Sequence, residues 1–455
     1  FIEPLNPSVG ILVDGIDFTG IAGAATTMDL QQVEILRGPQ GTLYGANALA
    51  GLISLKANQP TGETGGNVGL GMGRFNTQTV SAAIGGALSP TVNYRLAAQS
   101  HSSDGYVEND FLARDDTDDI DELSLRAIFT WQTSDQLATK LTLFHADVDN
   151  GYDAFSLDNT RHTLSDKPGH DRQKSTAVAV ETTWVGNDAY EWIALISFAD
   201  SDLEYGYDED WAFPNICAGK ACEGWEYNSE DNYGRDRDNG SIDLRWVSLR
   251  PAQVFGESAD WVFGVYARNQ EEQLRRQYTY LAADFMSDFE TENRAVYGQL
   301  DTHLSDALTL LTGVRFERRS ADYGDSDAVR HGVDENLWGG RVVLQYQMSP
   351  RTMLYSLIAR GYKAGGVNSD SSLAPADREF DTELMWNFEA GIKGSWLDGR
   401  LQGQLAGFYQ QRRDMQFKQS LVESREDSNA SDFTDYLGNS AKGSNLGVEI
   451  EALWA

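Results

Sequence analysis

Cysteine, histidine and proline are scarce in this chain, with two, six and ten among 455 residues, and basic residues are outnumbered by acidic ones, 36 to 69. Each shortage excludes something. A formal net charge of −33 does not fit nucleic-acid binding, which needs a basic footprint. Two thiols cannot make a structural zinc or iron–sulfur site without clustered histidines, and His101, His162, His170 and His331 stand apart. There is no GxSxG elbow, no HExxH and no phosphate-cradling glycine loop followed by Lys-Ser/Thr. Neither an enzyme active site nor a cofactor or metal site is therefore expected. No apolar run reaches the ~18 residues of a membrane-spanning helix, and no long segment repeats with the 3.6-residue helical period.

What recurs from Thr61 onward is period two. Leu123, Leu125, Ala127, Phe129 and Trp131 fall on one side of a strand, with Ser124, Arg126 and Thr130 on the other. Leu308, Leu310, Val314 and Phe316 oppose Thr309, Arg315 and Glu317 in the same way. So do Val342, Leu344, Tyr346 and Met348 against Gln345 and Gln347, and Phe388, Ala390, Ile392 and Trp396 against Asn387, Glu389 and Lys393. A soluble sandwich also alternates, but its strands are shorter. Ten residues at ~3.3 Å each, tilted by ~40°, cover roughly 25 Å, the height of an outer-membrane barrel's apolar band.

The connections alternate short and long. Short turns are expected at Ser89-Pro90, Ser134-Asp135, Gly186-Asn187, Ser305-Asp306, Ser349-Pro350 and Asp398-Gly399, with a longer one from Pro251 to Ala259. Long polar loops are expected at 104–120, 151–172, 206–240, 272–290, 320–335, 365–382 and 414–443. That asymmetry matches short periplasmic turns and long extracellular loops. The fold class is therefore all-β, a transmembrane antiparallel barrel of which about sixteen strands are present.

One earlier stretch differs in kind. VEILRGPQGTLYGANALAGLISL, Val33 to Leu55, holds two extended pieces, Val33–Leu36 and Leu52–Leu55, around a turn region rich in glycine (Gly38, Gly41, Gly45, Gly51). Arg37 stands at the mouth of that turn and Pro39 fixes its φ. The segment, with ILVDGI at Ile11–Ile16 read as the strand before it, closely resembles the plug signature of TonB-dependent outer-membrane receptors. Departures from the signature fall at Ala46 and at Leu49-Ala50. Tyr355–Asn368 (YSLIARGYKAGGVN) and the hairpin from Trp386 are similar to barrel strands of the same family.

The resemblance implies residues 1–61 as the carboxyl-terminal half of a plug and 62–455 as a barrel truncated before its last strands; complete, it would have about twenty-two. The signal peptide, TonB box and first half of the plug would precede Phe1. An open sheet exposes edge amides that lipid cannot satisfy, so the fragment alone should not insert stably. The resemblance further implies TonB-dependent import of a scarce nutrient across the outer membrane, with TonB and its inner-membrane energising complex, lipid and lipopolysaccharide as partners. A ferric siderophore is the leading cargo, followed by a corrinoid, an oligosaccharide or haem. A passive porin and a surface adhesin are the readings from other classes. Arg37, Gly38, Pro39, Gly41, Tyr44, Gly45, Asn47 and Gly51 would seat and gate the plug.

Candidate ligand contacts come from the loops. Cys217 and Cys222, in CAGKAC, are expected to form a disulfide, as an outer-surface location is oxidising. Near them lie Trp211, Phe213, Trp225, Tyr227 and Tyr233, suited either to stacking on a ligand ring or to packing the loop. Arg275-Arg276, Arg318-Arg319 and Arg412-Arg413 lie near upper strand ends, and alternation turns one of each pair to the lumen. Such guanidinia suit carboxylate or catecholate oxygens, or lipid headgroups at the rim. Between Asp200 and Gly240, twelve acids against three bases mark a solvated loop bridged to lipopolysaccharide by divalent ions, with a dedicated calcium site or a preference for cationic ligands as alternatives.

Overall fold

The computed structural model describes residues 7–455, apart from 22–25, 46–47, 187–188, 225–226, 251–252, 256–257, 369–372, 375–376 and 425–430. Near the amino terminus a four-stranded sheet forms from β1 (Val9–Val13), β2 (Ile16–Asp17), β3 (Leu30–Arg37) and β4 (Gly51–Ala57), in the order β2-β1-β4-β3. The parallel β1/β4 pair at its centre aligns Ile11 with Ile53 and Val13 with Leu55. ILVDGI is thus not one strand. Asp14 (φ 51°) and Gly15 (φ 87°) turn the chain so that Val13 pairs with Ile16, as a two-residue hairpin turn with positive φ at both positions does. Between β3 and β4 the turn region contains a short helix, α1 (Gly41–Tyr44).

Around this sheet, sixteen antiparallel strands are hydrogen-bonded in sequence order among the described residues, from Gly65–Met72 to Ser431–Trp454. Long hairpins dominate: Tyr190–Asp208 with Glu230–Ser248, Ala259–Tyr278 with Phe285–Ser305, and Leu308–Asp325 with Arg330–Ser349. At one end the strands reverse within a few residues, at 90–91, 135–136, 306–307 and 350–351. The sequence places short turns at all four.

The opposite end differs from expectation. Much of 206–240, 272–290, 320–335 and 414–443 is strand, not loop: Leu401–Ser424 and Ser431–Trp454 pair from Leu401↔Trp454 to Ser424↔Ser431. The physical reason is that these strands continue past the lipid, where both faces are wet and alternation in polarity disappears. On the outward face, Phe198, Ile242, Val296, Phe316 and Trp338 are exposed and apolar. A few residues farther along, the outward positions become acidic. Asp200, Asp238, Glu271, Glu290 and Asp322 stand directly opposite one another on five successive strands. Like charges in that position repel, and nothing local announces a strand.

Inward-facing residues pack on the plug. Val13, Ile16, Phe18, Ile21 and Leu55 form one buried cluster with Phe144, Ala146, Ala177, Ala179 and Ala199 of the wall, and Phe18 meets Phe144 edge to face at 5.6 Å. Alanine on the wall is what lets the plug approach closely; larger residues there would overfill the contact.

Candidate functional site

The plug is fastened by charges as well as by this apolar contact. Asp14, in the β1–β2 turn, meets Arg126 at 3.3 Å, and both are buried. Arg126 also donates to the Met28 carbonyl at 2.8 Å. Asp29 takes a two-pronged contact from Arg95, and Asp17 faces Arg268 at 3.2 Å. Asp14, Asp29 and Asp17 thus each meet a guanidinium supplied by a different strand of the wall. Separating such a pair inside the lumen would strand a buried charge.

The turn after β3 meets the wall in another way. Arg37 pairs with Glu449 at 3.0 Å and with Glu451, all three well exposed. Gly38 adopts φ +73° and Gly45 φ +76°, whereas Gly41 needs no such angle, and a Cβ there would meet the Gly361 Cα at 3.6 Å, an ordinary contact. Pro39 packs on Gly361. A Cβ on Gly45 would fall 2.6 Å from Glu317 Oε2 and 3.1 Å from Arg315 Nη2; one on Gly51, 2.5 Å from the Leu36 carbonyl. Glu317 accepts from Arg315 at 2.7 Å, Asn293 at 2.7 Å and Tyr362 at 3.0 Å. The plug backbone at Gly45 therefore rests on a fully satisfied buried ion pair. The Tyr44 side chain and Asn47 lie outside the described residues.

At the far end of the lumen the arginine pairs split by face. Arg276 points inward, binds Asp231 through two hydrogen bonds of 2.9 and 2.7 Å, and lies over the rings of Tyr233 (5.4 Å) and Tyr278 (4.8 Å). Arg319 is buried with Glu335 at 3.1 Å, and Arg412 binds the buried Glu383. Their partners turn outward: Arg275 pairs with Asp284, Arg318 reaches Asp334 at 3.7 Å, and Arg413 is exposed. The inward guanidinia are therefore each matched to a carboxylate. An anionic ligand would exchange with that carboxylate rather than fill an empty ring.

Beside Arg276 runs an aromatic wall. Tyr152 lies 5.1 Å from Tyr205, Tyr205 6.4 Å from Tyr233, and Phe155 stacks on Trp211 at 5.0 Å and 11°. Cys217 and Cys222 are joined as a disulfide, with Cα atoms 5.1 Å apart. Tyr227 is half exposed and reaches the Glu209 carbonyl at 3.5 Å. Trp225 lies outside the described residues. At the neck of this loop, Asp208 accepts from Ser165 and Asp210 from the Ser229 amide at 2.9 Å. Burial pushes the Asp208 carboxyl up to about 7, with Asp210 adding to the rise and the Ser165 hydrogen bond opposing it.

The family described as TonB dependent receptor-like, beta-barrel, matches residues 57–455, and the TonB-dependent receptor plug domain matches residues 4–52. The chain belongs to the TonB-dependent receptor family. It is an outer-membrane β-barrel with its plug inside. The receptor is 26% identical to the pesticin receptor of Yersinia pestis over 473 aligned positions, which cover 99% of the chain and 64% of that relative. It thus spans just under two-thirds of the length of the curated relatives it matches. The ferrioxamine B receptor of Salmonella typhimurium is 24% identical over 31% of the chain and 20% of its own length. Among solved structures, the ferric yersiniabactin uptake receptor of Yersinia pestis superposes with a TM-score of 0.81 at 22% identity, covering 99% of this chain and 67% of that one. The ferripyoverdine receptor of Pseudomonas aeruginosa gives 0.74 at 17%, with 97% and 61% covered.

Several lumen residues of the receptor lie beyond those that motif and alternation single out. Tyr152, Phe155, Tyr205, Tyr207 and Tyr278 belong to the aromatic wall; Tyr205 and Tyr207 are two apart, the spacing of one strand face, which was the available sign. Asp231, Glu335 and Glu383, the carboxylates that neutralise the arginines, carried none.

Proposed function

We propose that the receptor is an active importer of a ferric siderophore across the outer membrane, driven through TonB and its inner-membrane energising complex, with lipopolysaccharide and lipid around its barrel. The observation that carries this reading is the pairing of Arg276 with the tyrosine-rich wall above a plug held by buried ion pairs. Aromatic faces give a large contact area at low entropic cost, and guanidinium forks match the oxygens of an anionic chelate. The relatives named for siderophores support the same cargo. A ligand drives the plug only if it binds one state better than the other, and exchange of Asp231 for ligand oxygen at Arg276 supplies such a difference.

The experiment is uptake of radiolabelled ferric yersiniabactin by cells carrying the full-length receptor, with and without TonB, beside Arg276→Ala. TonB-dependent uptake, with binding weakened about tenfold or more by the loss of a charge-assisted site, is the expected result. Uptake independent of TonB, or a large steady conductance in liposomes, would overturn the importer reading in favour of a passive channel.

A further inference from the structure

Toward lipid the wall carries a pattern of its own. On three strands the first outward residue above the apolar run is an arginine: Arg294 above Val296 on Phe285–Ser305, Arg318 above Phe316 on Leu308–Asp325, and Arg360 above Ile358 on Thr352–Lys363. On Arg330–Ser349, the strand between the second and third of these, Trp338 and Asn336 hold those places. The neighbouring hairpin differs: Asp200 follows Phe198, and Gly240 follows Ile242. The short turns lie at the other end of these strands, so the arginines stand at the outer-leaflet edge of the apolar belt.

Arg294 and Arg318 are directly opposite across their two strands, 71% and 70% exposed. Like charges so placed repel. Each has an exposed carboxylate beside it, Glu292 for Arg294 and Asp334, at 3.7 Å, for Arg318, and exposed pairs of that kind hold weakly. Arg360 has no carboxylate partner among the described residues; it lies over the Trp338 ring, 3.9 Å from the centroid, and donates to the Trp338 carbonyl. Beside these guanidinia the outer surface is hollowed into two grooves, of about 710 and 520 Å³, that meet at Trp338. Both volumes fall within the ~300–1,000 Å³ of ligand sites. Small outward residues make the hollows. Ala267 lies in the first, between Val265 and Val296 and headed by Arg294 and Arg318; Gly298 and Gly340 lie in the second, headed by Arg360 and Trp386.

We propose that this patch is a dedicated site for the phosphorylated, multiply acylated lipid part of lipopolysaccharide. Its acyl chains lie in the two grooves, with one phosphate between Arg294 and Arg318 and another on Arg360. The inference rests on the part of the reading above that surrounds the barrel with lipopolysaccharide, and it is independent of the cargo. A lone rim arginine snorkels to any headgroup. Two grooves with separate cationic heads instead suit one molecule with more than one chain and more than one phosphate. A phosphate between Arg294 and Arg318 turns their repulsion into charge-assisted contacts. On Arg360 it supplies the countercharge that the protein does not, while the Trp338 ring holds the guanidinium in place.

The test is native mass spectrometry of the full-length receptor in detergent, titrated with bisphosphorylated lipid A, dephosphorylated lipid A and cardiolipin. Folding of each variant is checked by its gel mobility before and after boiling. The unaltered receptor should bind one bisphosphorylated lipid A about tenfold or more tighter than either of the other lipids; removing the phosphates reads the arginine contacts without altering the protein. Arg294→Gln with Arg318→Gln, and separately Arg360→Gln, should weaken the bisphosphorylated lipid about tenfold or more and leave the dephosphorylated one unchanged. Ala267→Trp, which fills the first groove, should weaken both forms of lipid A. Lys174→Gln removes an exposed cation elsewhere on the rim and should leave the affinity unchanged within about twofold. Unchanged affinity in the arginine variants, an equal loss from Lys174→Gln, or cardiolipin bound as tightly with the same arginine dependence overturns the proposal. If the unaltered receptor binds none of the three lipids above the detergent background, the lipopolysaccharide part of the reading above fails and takes this inference with it, while TonB-dependent uptake still decides the importer.

Discussion

Replacing Gly45 with alanine should unseat the plug, and the cost follows from two separate contacts. Gly45 has φ 76° and ψ −147°, a region used almost solely by glycine, where another residue costs about 1–3 kcal/mol. The added Cβ would also lie 2.6 Å from Glu317 Oε2. Glu317 cannot retreat without breaking hydrogen bonds to Arg315, Asn293 and Tyr362, so overpacking adds a further ~1–3 kcal/mol. The sum, about 2–6 kcal/mol, shifts the ratio of released to seated plug by between about thirtyfold and about four orders of magnitude. Gly62→Ala is the control: its nearest neighbour would be Asn93 Oδ1 at 3.9 Å, an ordinary contact. The assay is protease cleavage of the plug in reconstituted full-length receptor across a urea series. Gly45→Ala should move the midpoint to lower urea. A Gly45→Ala midpoint equal to that of Gly62→Ala would refute the reasoning.

Three further outcomes follow from the same geometry. Arg126→Ala leaves Asp14 buried without its cation and should cost about 3–5 kcal/mol of plug seating, whereas Arg37→Ala, whose partners are exposed, should cost below about 1 kcal/mol; the same urea series compares them. Cys217→Ser with Cys222→Ser should cost the loop about 2 kcal/mol for so short a ring, seen as faster nicking between Asp208 and Ser229 with the barrel's melting unchanged. The Asp208 carboxyl titrates near 7 in the folded loop and near 4 when released. The folded loop therefore holds the proton more tightly, its stability is full below about pH 4 and falls as pH rises through 7. Asp208→Asn should remove that fall, so hydrogen exchange in this loop, corrected for intrinsic rates, should show protection greater than in the unaltered receptor at pH 8, with the difference shrinking steadily as pH is lowered toward 4.

The strands of the barrel wall were legible because one face of each meets lipid. Leu123 to Trp131 and Val342 to Met348 announce themselves by alternation, and Ser89-Pro90 or Ser349-Pro350 by turn chemistry. The upper hairpins were not legible. Once Asp200, Asp238 and Glu271 replace Phe198, Ile242 and Val265 on the outer face, strand and loop have the same composition, and only pairing with a neighbour distinguishes them. The plug's two strands were read correctly, but the hairpin at Asp14-Gly15 was hidden inside an apolar run.

By itself, then, the sequence determined the class of the fold, the presence of a plug and that one member of each arginine pair turns inward, because alternation is a local property of an extended chain; which member does so was decided by the structure. Only the tertiary structure decided what each inward charge meets. Arg276 is answered by Asp231, Arg319 by Glu335, Arg412 by Glu383 and Asp17 by Arg268, and Gly45 rests on Glu317. These partners sit on different strands, and their meeting depends on the register of the ladders between them and on where the plug lies in the lumen. Neither quantity is carried by a residue and its near neighbours.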